Sequence, residues 1–233
     1  DLHSFPTRRS SDLQLEILED IVKIAVENDL IIFSDEIYDH IIYDGKPFYH
    51  LGNMTDETLV VTLNGLSKSH RVPGFRVGWM VLSGNRGDAR DYIEGIDILT
   101  SMRLCANVPA QYAIQTSLGG YQSVRDLVAP EGRLHQQRDI VYEGINAIPG
   151  LSCVKPDGAM YAFVKIDTPR FNITDDVQFA LDMLKREKVL IVQGSGFNWP
   201  EPDHFRIVFL PSPTQLKDTM GRIGHFMGHY IQE

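Results

Sequence analysis

Three short runs of apolar residues follow one another in the first half of the chain, and they constrain the fold more than any other feature. The runs are "LIIFS" at 30–34, "LVVTL" at 59–63 and "VGWMVL" at 77–82. Continuous apolar runs of this length are typical of strands in a parallel sheet, because helices cover both faces of such a sheet. Apolar residues at helical spacing over 14–28 precede the first run. This order of elements predicts an α/β domain.

The second half of the chain has a different pattern. A helical stretch at 88–120, in which Pro109 must interrupt or begin a helix, leads to a second helix at 131–148. The elements predicted beyond it are a strand pair around a turn at 156–158, a helix at 175–188, a strand at 204–210 and a helix at about 213–231. We therefore expect a partial large domain with a parallel-type sheet over 14–140 and a smaller α+β domain over 141–233.

Charge and cysteine content point away from several classes of protein. The net charge of −9 and the pI of about 5.3 offer no counter-charge to nucleic acid or to an anionic membrane. No apolar run of the sequence is long enough to span a bilayer. Cys105 and Cys153 are far apart and lack metal-ligand spacing, which indicates reduced thiols. We expect an acidic, soluble, cytoplasmic protein that binds no metal, nucleic acid or membrane.

Residues 1–13, "DLHSFPTRRSSDL", form a leader that differs from the rest of the chain. The leader has no periodicity, and it lacks the apolar region and the cleavage site of a secretory signal. One choice of codons for it matches the adapter that is ligated to fragments in short-read sequencing. We interpret the leader as a disordered artefact of sequence assembly, and we expect the authentic protein to begin before Gln14.

Polar side chains flank the apolar runs at points where a ligand site would form. Asp35 and Tyr38 follow the first run, Lys68 follows the second, and Arg76 stands at the entry to the third. Taken singly, each residue suits a structural role. Asp35 could cap a helix and Tyr38 could be a core residue. Lys68 could be a solvated amine and Arg76 an ion-pair partner. Strand ends in parallel sheets open into a crevice that holds ligands, so the four residues together predict a binding site.

These four side chains have the chemistry that pyridoxal phosphate requires. A lysine condenses with the cofactor's aldehyde, and a carboxylate keeps the pyridine nitrogen protonated so that the ring withdraws electrons. A phenol hydrogen-bonds the ring oxygen, and a guanidinium holds the phosphate by paired charge-assisted bonds. The set predicts a pyridoxal-phosphate site built on Lys68, Asp35, Tyr38 and Arg76.

Two motifs resemble those of the class I/II aminotransferases, which are fold-type I pyridoxal-phosphate enzymes. "NGLSKSHRVPGFRVGW" at 64–79 resembles the family's cofactor-lysine motif, in which S-x-S-K or a near variant precedes G-x-R-x-G. "SDEIY" at 34–38 resembles the strand that carries the family's ring-nitrogen aspartate and its tyrosine. The resemblance runs from Gln14 to the C-terminus. It implies the C-terminal part of the aspartate aminotransferase-like fold.

The resemblance also implies a role for each matched residue. Lys68 would bind the cofactor covalently and act as acid and base, Asp35 would pair with the ring nitrogen, and Tyr38 would bond the ring oxygen. Arg76 would bind the phosphate. In "HFRIVFL", Arg206 matches the arginine that holds the substrate's α-carboxylate, although a strand-edge ion pair is the competing interpretation.

The chain departs from the family's pattern in two respects. Many members have Ser or Thr three residues before the lysine, where this chain has Gly65; the neighbouring Ser67 is the candidate that would contact phosphate instead. The family's glycine-rich phosphate loop, ring-stacking aromatic residue and asparagine are not found in this sequence. We therefore expect somewhat over half of an enzyme that is a homodimer when intact, and we expect the fragment itself to be inactive.

Longer stretches resemble the bacterial alanine (glutamate–pyruvate) aminotransferase group of the family, among them "SMRLCANVPAQYAIQTSLGGYQS" at 101–123. This resemblance implies transamination between an amino acid, alanine, and a 2-oxo acid, 2-oxoglutarate. Two alternatives remain open from the residues alone. One is a fold-type I lyase that acts on a β-substituted amino acid. The other is a transcription regulator whose body resembles an aminotransferase.

Overall fold

The computed structural model describes residues 13–233, which form two compact units. The first unit contains the described residues up to Arg125, and the second begins at Asp126. The division therefore precedes the predicted domain boundary at residue 140. Residues 1–12 of the leader, and with them its predicted disorder there, lie outside the described residues; Leu13, its last residue, is described.

The first unit contains the predicted helix and the three predicted strands. Its elements are α1 (Leu15–Glu27), β1 (Ile32–Asp35), β2 (Leu59–Gly65), β3 (Gly78–Gly84), α2 (Arg90–Arg103) and α3 (Val108–Gly119), and α4 (Val124–Val128) bridges the division between the units. The predicted helical stretch at 88–120 is thus two helices. Pro109 lies in the first turn of α3, where its missing N–H leaves no helical hydrogen bond unmade.

The sheet of the first unit is mixed, with the strand order β1-β2-β3. β1 runs parallel to β2, but β3 runs antiparallel to β2, with Gly65 opposite Gly78. The prediction that the third apolar run continues a parallel sheet is therefore wrong. The connection over 66–77 contains only one short 3₁₀ helix, Pro73–Phe75, whereas a parallel return needs a longer crossover. An apolar run thus indicates a strand but fixes neither its direction nor its burial, because no residue of β3 is buried in this chain.

The direction of β3 matters for the placement of the predicted site. β1 and β2 are parallel, so Asp35 and Gly65 end their strands at the same edge of the sheet. Because β3 is antiparallel, it begins at that edge, and Arg76 precedes its first residue there. A parallel β3 would have placed Arg76 at the opposite edge.

Helix α1 covers one part of this sheet. Leu18 and Ala25 of α1 are buried in one cluster with Ile32 of β1 and Val60 of β2. Leu13 is half-buried against the same cluster. The apolar face that the sequence predicts for the helix is thus the face that contacts the core.

The second unit is an antiparallel sheet with helices. Its elements are α5 (Arg133–Asn146), β4 (Leu151–Cys153), β5 (Tyr161–Ile166), α6 (Thr168–Phe171), α7 (Asp176–Glu187), β6 (Val192–Gln193), β7 (His204–Val208) and α8 (Pro213–His229). The strand order is β4-β5-β7-β6, and every pair is antiparallel. The predicted strand pair, strand and helices are confirmed; α6, β6 and a short 3₁₀ helix at Gly194–Phe197 were not predicted. None of the helices within 13–233 combines the length and the apolar character that crossing a bilayer requires.

Candidate active site

Lys68 lies in the connection between β2 and β3, residues 66–77, which we call the lysine loop. The two ends of this loop are held together, because the N–H of Leu66 donates to the carbonyl oxygen of Val77 at 3.1 Å. Both residues are buried in one cluster with Ala110 of α3. The loop is therefore closed at its base, and Lys68 lies two residues from that base.

The structure brings Lys68 and Tyr38 together. Tyr38 follows β1 in a tight turn, and its side chain is only 1 % exposed. The Lys68 ammonium lies 5.7 Å from the centre of the Tyr38 ring, a distance at which a cation interacts favourably with an aromatic face. Lys68 itself is half-buried.

Asp35 is the last residue of β1 and lies opposite Leu63 of β2. Its side chain is exposed, and its Oδ1 accepts a hydrogen bond from the N–H of Ile37 at 3.2 Å. This short-range bond shapes the turn that leads to Tyr38. A carboxylate and a phenol are thus presented three residues apart at the strand end.

Arg76 and Ser67 lie on the lysine loop with Lys68. Arg76 is exposed, and its φ of +53° is in the left-handed region, which costs a non-glycine residue about 1 kcal/mol. Its Nη1 donates to the carbonyl oxygen of Pro73 at 2.5 Å. Strained backbone of this kind is often found at ligand-binding positions. Ser67 is half-buried beside Lys68.

Glu36 is a buried carboxylate for which the sequence predicts no role. Its side chain is 1 % exposed and accepts hydrogen bonds from the Ser34 hydroxyl at 3.0 Å and the Leu51 N–H at 3.2 Å. The Nδ1 atom of His50 lies 2.5 Å from its other oxygen. Through Glu36, the turn that contains Asp35 and Tyr38 is therefore anchored to His50 and Leu51. A glutamate after an apolar run is typical of a solvated strand end, so the sequence gives no signal for this role.

Arg206 lies in β7 of the second unit, in the strand predicted for it. Its guanidinium is held between two aromatic rings, with 4.4 Å from its central carbon to the Tyr161 ring centre and 4.3 Å to that of Phe197. Stacking on both faces limits the orientations of the planar group. Its Nη atoms, at the edge of the plane, are the atoms that would meet a carboxylate in a bidentate pair.

A buried aspartate fixes the position of Phe197. Phe197 belongs to a short 3₁₀ helix, Gly194–Phe197, and Ser195 in that helix donates from its N–H and its hydroxyl to Asp176 at 2.7 and 2.8 Å. Asp176 is 6 % exposed and is the first residue of α7. The aromatic partner of Arg206 is therefore anchored to a helix, an arrangement that residue spacing does not reveal.

A second carboxylate lies beside β7. Asp203 accepts a hydrogen bond from Trp199 Nε1 at 2.7 Å, and its Oδ1 lies 2.6 Å from His204 Nδ1. Burial favours the neutral acid, but the bonds from His204 and Trp199 outweigh it and hold the pKa of Asp203 below its ordinary value. Asp203 is therefore an ionised carboxylate at neutral pH.

The fold defines the class of protein. The chain has the fold of fold-type I aminotransferases, as its similarity to solved structures shows. A crystal structure of an aminotransferase from Escherichia coli superposes with a TM-score of 0.93 at 52 % identity, covering 97 % of this chain and 56 % of the other. Alanine aminotransferase from Pyrococcus furiosus superposes with a TM-score of 0.83 at 37 % identity, covering 92 % of this chain and 53 % of the other.

The chain belongs to the class I and II aminotransferase family, whose sequence model matches residues 10–223. It is 56 % identical to the glutamate-pyruvate aminotransferase AlaA of Haemophilus influenzae over 93 % of this chain and 54 % of that protein. It is 50 % identical to an alanine aminotransferase of Mycobacterium tuberculosis over 93 % of this chain and 51 % of that protein. The chain thus spans about half the length of these relatives. The predicted family and fold class are confirmed.

Proposed function

We propose that the protein is a pyridoxal-phosphate-dependent aminotransferase that transfers the amino group of alanine to 2-oxoglutarate. The observation that carries the proposal is the half-buried Lys68, whose amine lies over the Tyr38 ring at the strand edge that also presents Asp35. The family uses pyridoxal phosphate in general. The names of the two relatives, glutamate-pyruvate aminotransferase and alanine aminotransferase, support the choice of substrates.

The donor set of the first unit suits the cofactor. Lys68 offers the amine that binds its aldehyde, and the exposed carboxylate of Asp35 would pair with its protonated ring nitrogen. Tyr38 would contact the ring oxygen. The exposed guanidinium of Arg76 and the hydroxyl of Ser67 would hold the phosphate. When bound, pyridoxal phosphate supplies the electron-withdrawing ring that makes the substrate's Cα–H bond acidic.

Lys68 and Arg206 would act on the substrate. Lys68 Nζ would accept the proton from the amino acid's Cα, which requires a neutral amine at that moment. Arg206 would bind the α-carboxylate through its planar edge while Tyr161 and Phe197 hold its two faces. Orientation of this kind is a large contribution to catalysis, because a displacement of about 1 Å can cost ~100-fold in rate.

The proposal also covers the ligands, the oligomeric state and the cellular location of the enzyme. Its ligands would be a small amino acid and a 2-oxo acid. A second copy of the chain would be its partner in a homodimer, and the acidic composition fits a cytoplasmic enzyme. Sedimentation of the full-length protein tests the dimer.

Reduction of the cofactor-loaded, full-length protein with borohydride tests the assignment of Lys68. Borohydride fixes the cofactor to the lysine that binds it, and peptide mapping then locates the label. We expect the label on Lys68 and no label in Lys68→Ala. Lys217→Ala, which changes an exposed lysine of α8, is the matched control and should be labelled as the wild type is.

The activity is tested with alanine and 2-oxoglutarate. Pyruvate should form only when the 2-oxo acid is present, and Lys68→Ala should abolish its formation. Label on a lysine other than Lys68 would overturn the assignment of the site. Release of pyruvate and ammonia without a 2-oxo acid would overturn the reaction and indicate a lyase.

A further inference from the structure

Asp39 directly follows Tyr38 in the sequence. It lies in the turn after β1, and only 11 % of its side chain is exposed. Its Oδ2 accepts a hydrogen bond from Asn64 Nδ2 at 2.8 Å, and its Oδ1 accepts one from the Ser69 hydroxyl at 3.4 Å. A carboxylate with so little exposure depends on such donors, because burial without them costs free energy.

The two donors lie on either side of Lys68. Asn64 precedes the lysine by four residues in β2, and Ser69, which is 4 % exposed, follows it directly. One carboxylate thus holds both ends of the segment that contains the lysine. Asn64 is fixed further, because its Oδ1 accepts the N–H of Gly65 at 2.7 Å. The segment cannot move away from the Tyr38 turn without breaking these bonds.

The turn that carries Asp39 is itself anchored on its other side. Glu36 joins it to Leu51 and His50, and the N–H of Asp39 donates to the carbonyl oxygen of Glu36 at 3.0 Å. Asp39 therefore connects an anchored turn to the lysine loop. The neighbouring His40 places its Nε2 atom 3.8 Å from Asp39 Oδ2, and its side chain is 44 % exposed.

We propose that Asp39 is a positioning residue that holds Lys68 beside Tyr38 through Asn64 and Ser69. The link to catalysis rests on the proposed function, but the restraint on the lysine loop does not. The loop offers two reporters of that restraint. The N–H of Arg71 donates to the carbonyl oxygen of Lys68 at 3.1 Å, and the N–H of Val72 donates to that of Leu66 at 3.2 Å. Both bonds open when the loop loosens.

Amide hydrogen exchange of the cofactor-free, full-length protein measures this loosening directly. We expect Asp39→Ala to raise the exchange rates of the Arg71 and Val72 amides about fivefold or more, the factor that corresponds to a lost hydrogen bond of ordinary strength. Asp39→Asn keeps one acceptor oxygen and should show a smaller rise. Asp56→Ala changes an exposed aspartate before β2 and is the matched control.

A second variant keeps the test decisive if Asp39→Ala does not fold. Ser69→Ala removes only the bond to the lysine loop, and it should raise exchange at the same two amides. Rates equal to those of Asp56→Ala in the folded variants would overturn the proposal. So would a lower melting temperature accompanied by an equal rise in exchange across the whole chain, which would indicate a general loss of stability.

The cofactor gives a further readout in the loaded protein. If Asp39 positions Lys68, Asp39→Ala should shift the pH midpoint of the cofactor's visible absorbance, and Asp39→Asn should restore part of that shift. An unchanged midpoint would overturn the link to catalysis. Absence of borohydride label on Lys68 in the wild type would instead overturn the proposed function, and the exchange rates of the cofactor-free protein would still decide whether Asp39 restrains the loop.

Discussion

Gly65 of β2 lies opposite Gly78 of β3, and the two backbones approach each other too closely for side chains. A Cβ atom on Gly65 would lie 2.8 Å from the carbonyl oxygen of Val77, and one on Gly78 would lie 2.9 Å from that of Asn64. The resemblance to the family leads to the expectation of Ser or Thr at position 65. In this chain, the close approach of β3 leaves no room for that hydroxyl, which makes Ser67 the nearer candidate for contact with phosphate.

The glycine pair gives a prediction about stability. Gly65→Ala should lower the free energy of unfolding by about 2 kcal/mol, because the neighbouring atoms belong to backbone that cannot rotate away. Gly74→Ala, in the lysine loop that follows β2, is the control: a Cβ there would have nothing within 4 Å, so its effect should stay within about 0.5 kcal/mol. Denaturant unfolding measures both. Equal stability of the two variants would show that β3 can shift to admit a side chain.

The aromatic rings around Arg206 give a prediction about substrate binding. Phe197→Leu removes one of the two faces on which the guanidinium stacks. Such a contact is worth roughly 0.5–2 kcal/mol, so KM for the amino acid should rise about 2- to 30-fold while kcat changes less. Steady-state kinetics of the full-length protein with alanine measure this effect.

Two further variants separate orientation from bulk packing. Phe197→Tyr keeps the ring and should keep KM near the wild-type value. Arg206→Lys keeps the charge but loses the planar fork, and it should raise KM by more than Phe197→Leu does. A rise in KM for Phe197→Tyr as large as that for Phe197→Leu would mean that the stacked ring is not what positions Arg206.

The sequence predicted most of the fold because its patterns are local. Apolar runs and helical periodicity identified the major elements, and Pro109 located the start of α3. The direction of β3 was not predicted, because it depends on the path of the lysine loop rather than on the composition of the strand. Motif spacing was likewise enough to propose Asp35, Tyr38, Lys68 and Arg76 as site residues. It could not predict the roles of Glu36 and Asp39, because these roles arise from contacts with residues 15 to 30 positions away.

The two cysteines should differ in reactivity. Burial raises the pKa of the Cys153 thiol to about 11. The fraction of Cys153 that is thiolate at pH 8 is therefore roughly 100-fold lower than for an ordinary thiol. Cys105 is exposed. Iodoacetamide at pH 8 should therefore label Cys105 and leave Cys153 unmodified in the folded protein. Mass spectrometry of the peptides checks this, with Cys105→Ser expected to show almost no label and Cys153→Ser to be labelled as the wild type is. Rapid labelling of Cys153 would contradict its raised pKa.

Asp203 should make stability depend on pH. Its folded-state pKa is depressed, so its contribution is fully present above the ordinary aspartate pKa of about 4 and is lost as the pH falls through the lower folded value. Asp203→Asn keeps an acceptor for Trp199 but removes the charge, and it should cost about 1 kcal/mol near pH 7. The difference in melting temperature from the wild type should then shrink as the pH is lowered towards about 3. The same scans on Asp56→Asn, an exposed control, should show a small difference at every pH. A deficit for Asp203→Asn that stays constant or grows on acidification would show that the carboxylate is not stabilised in its ionised form.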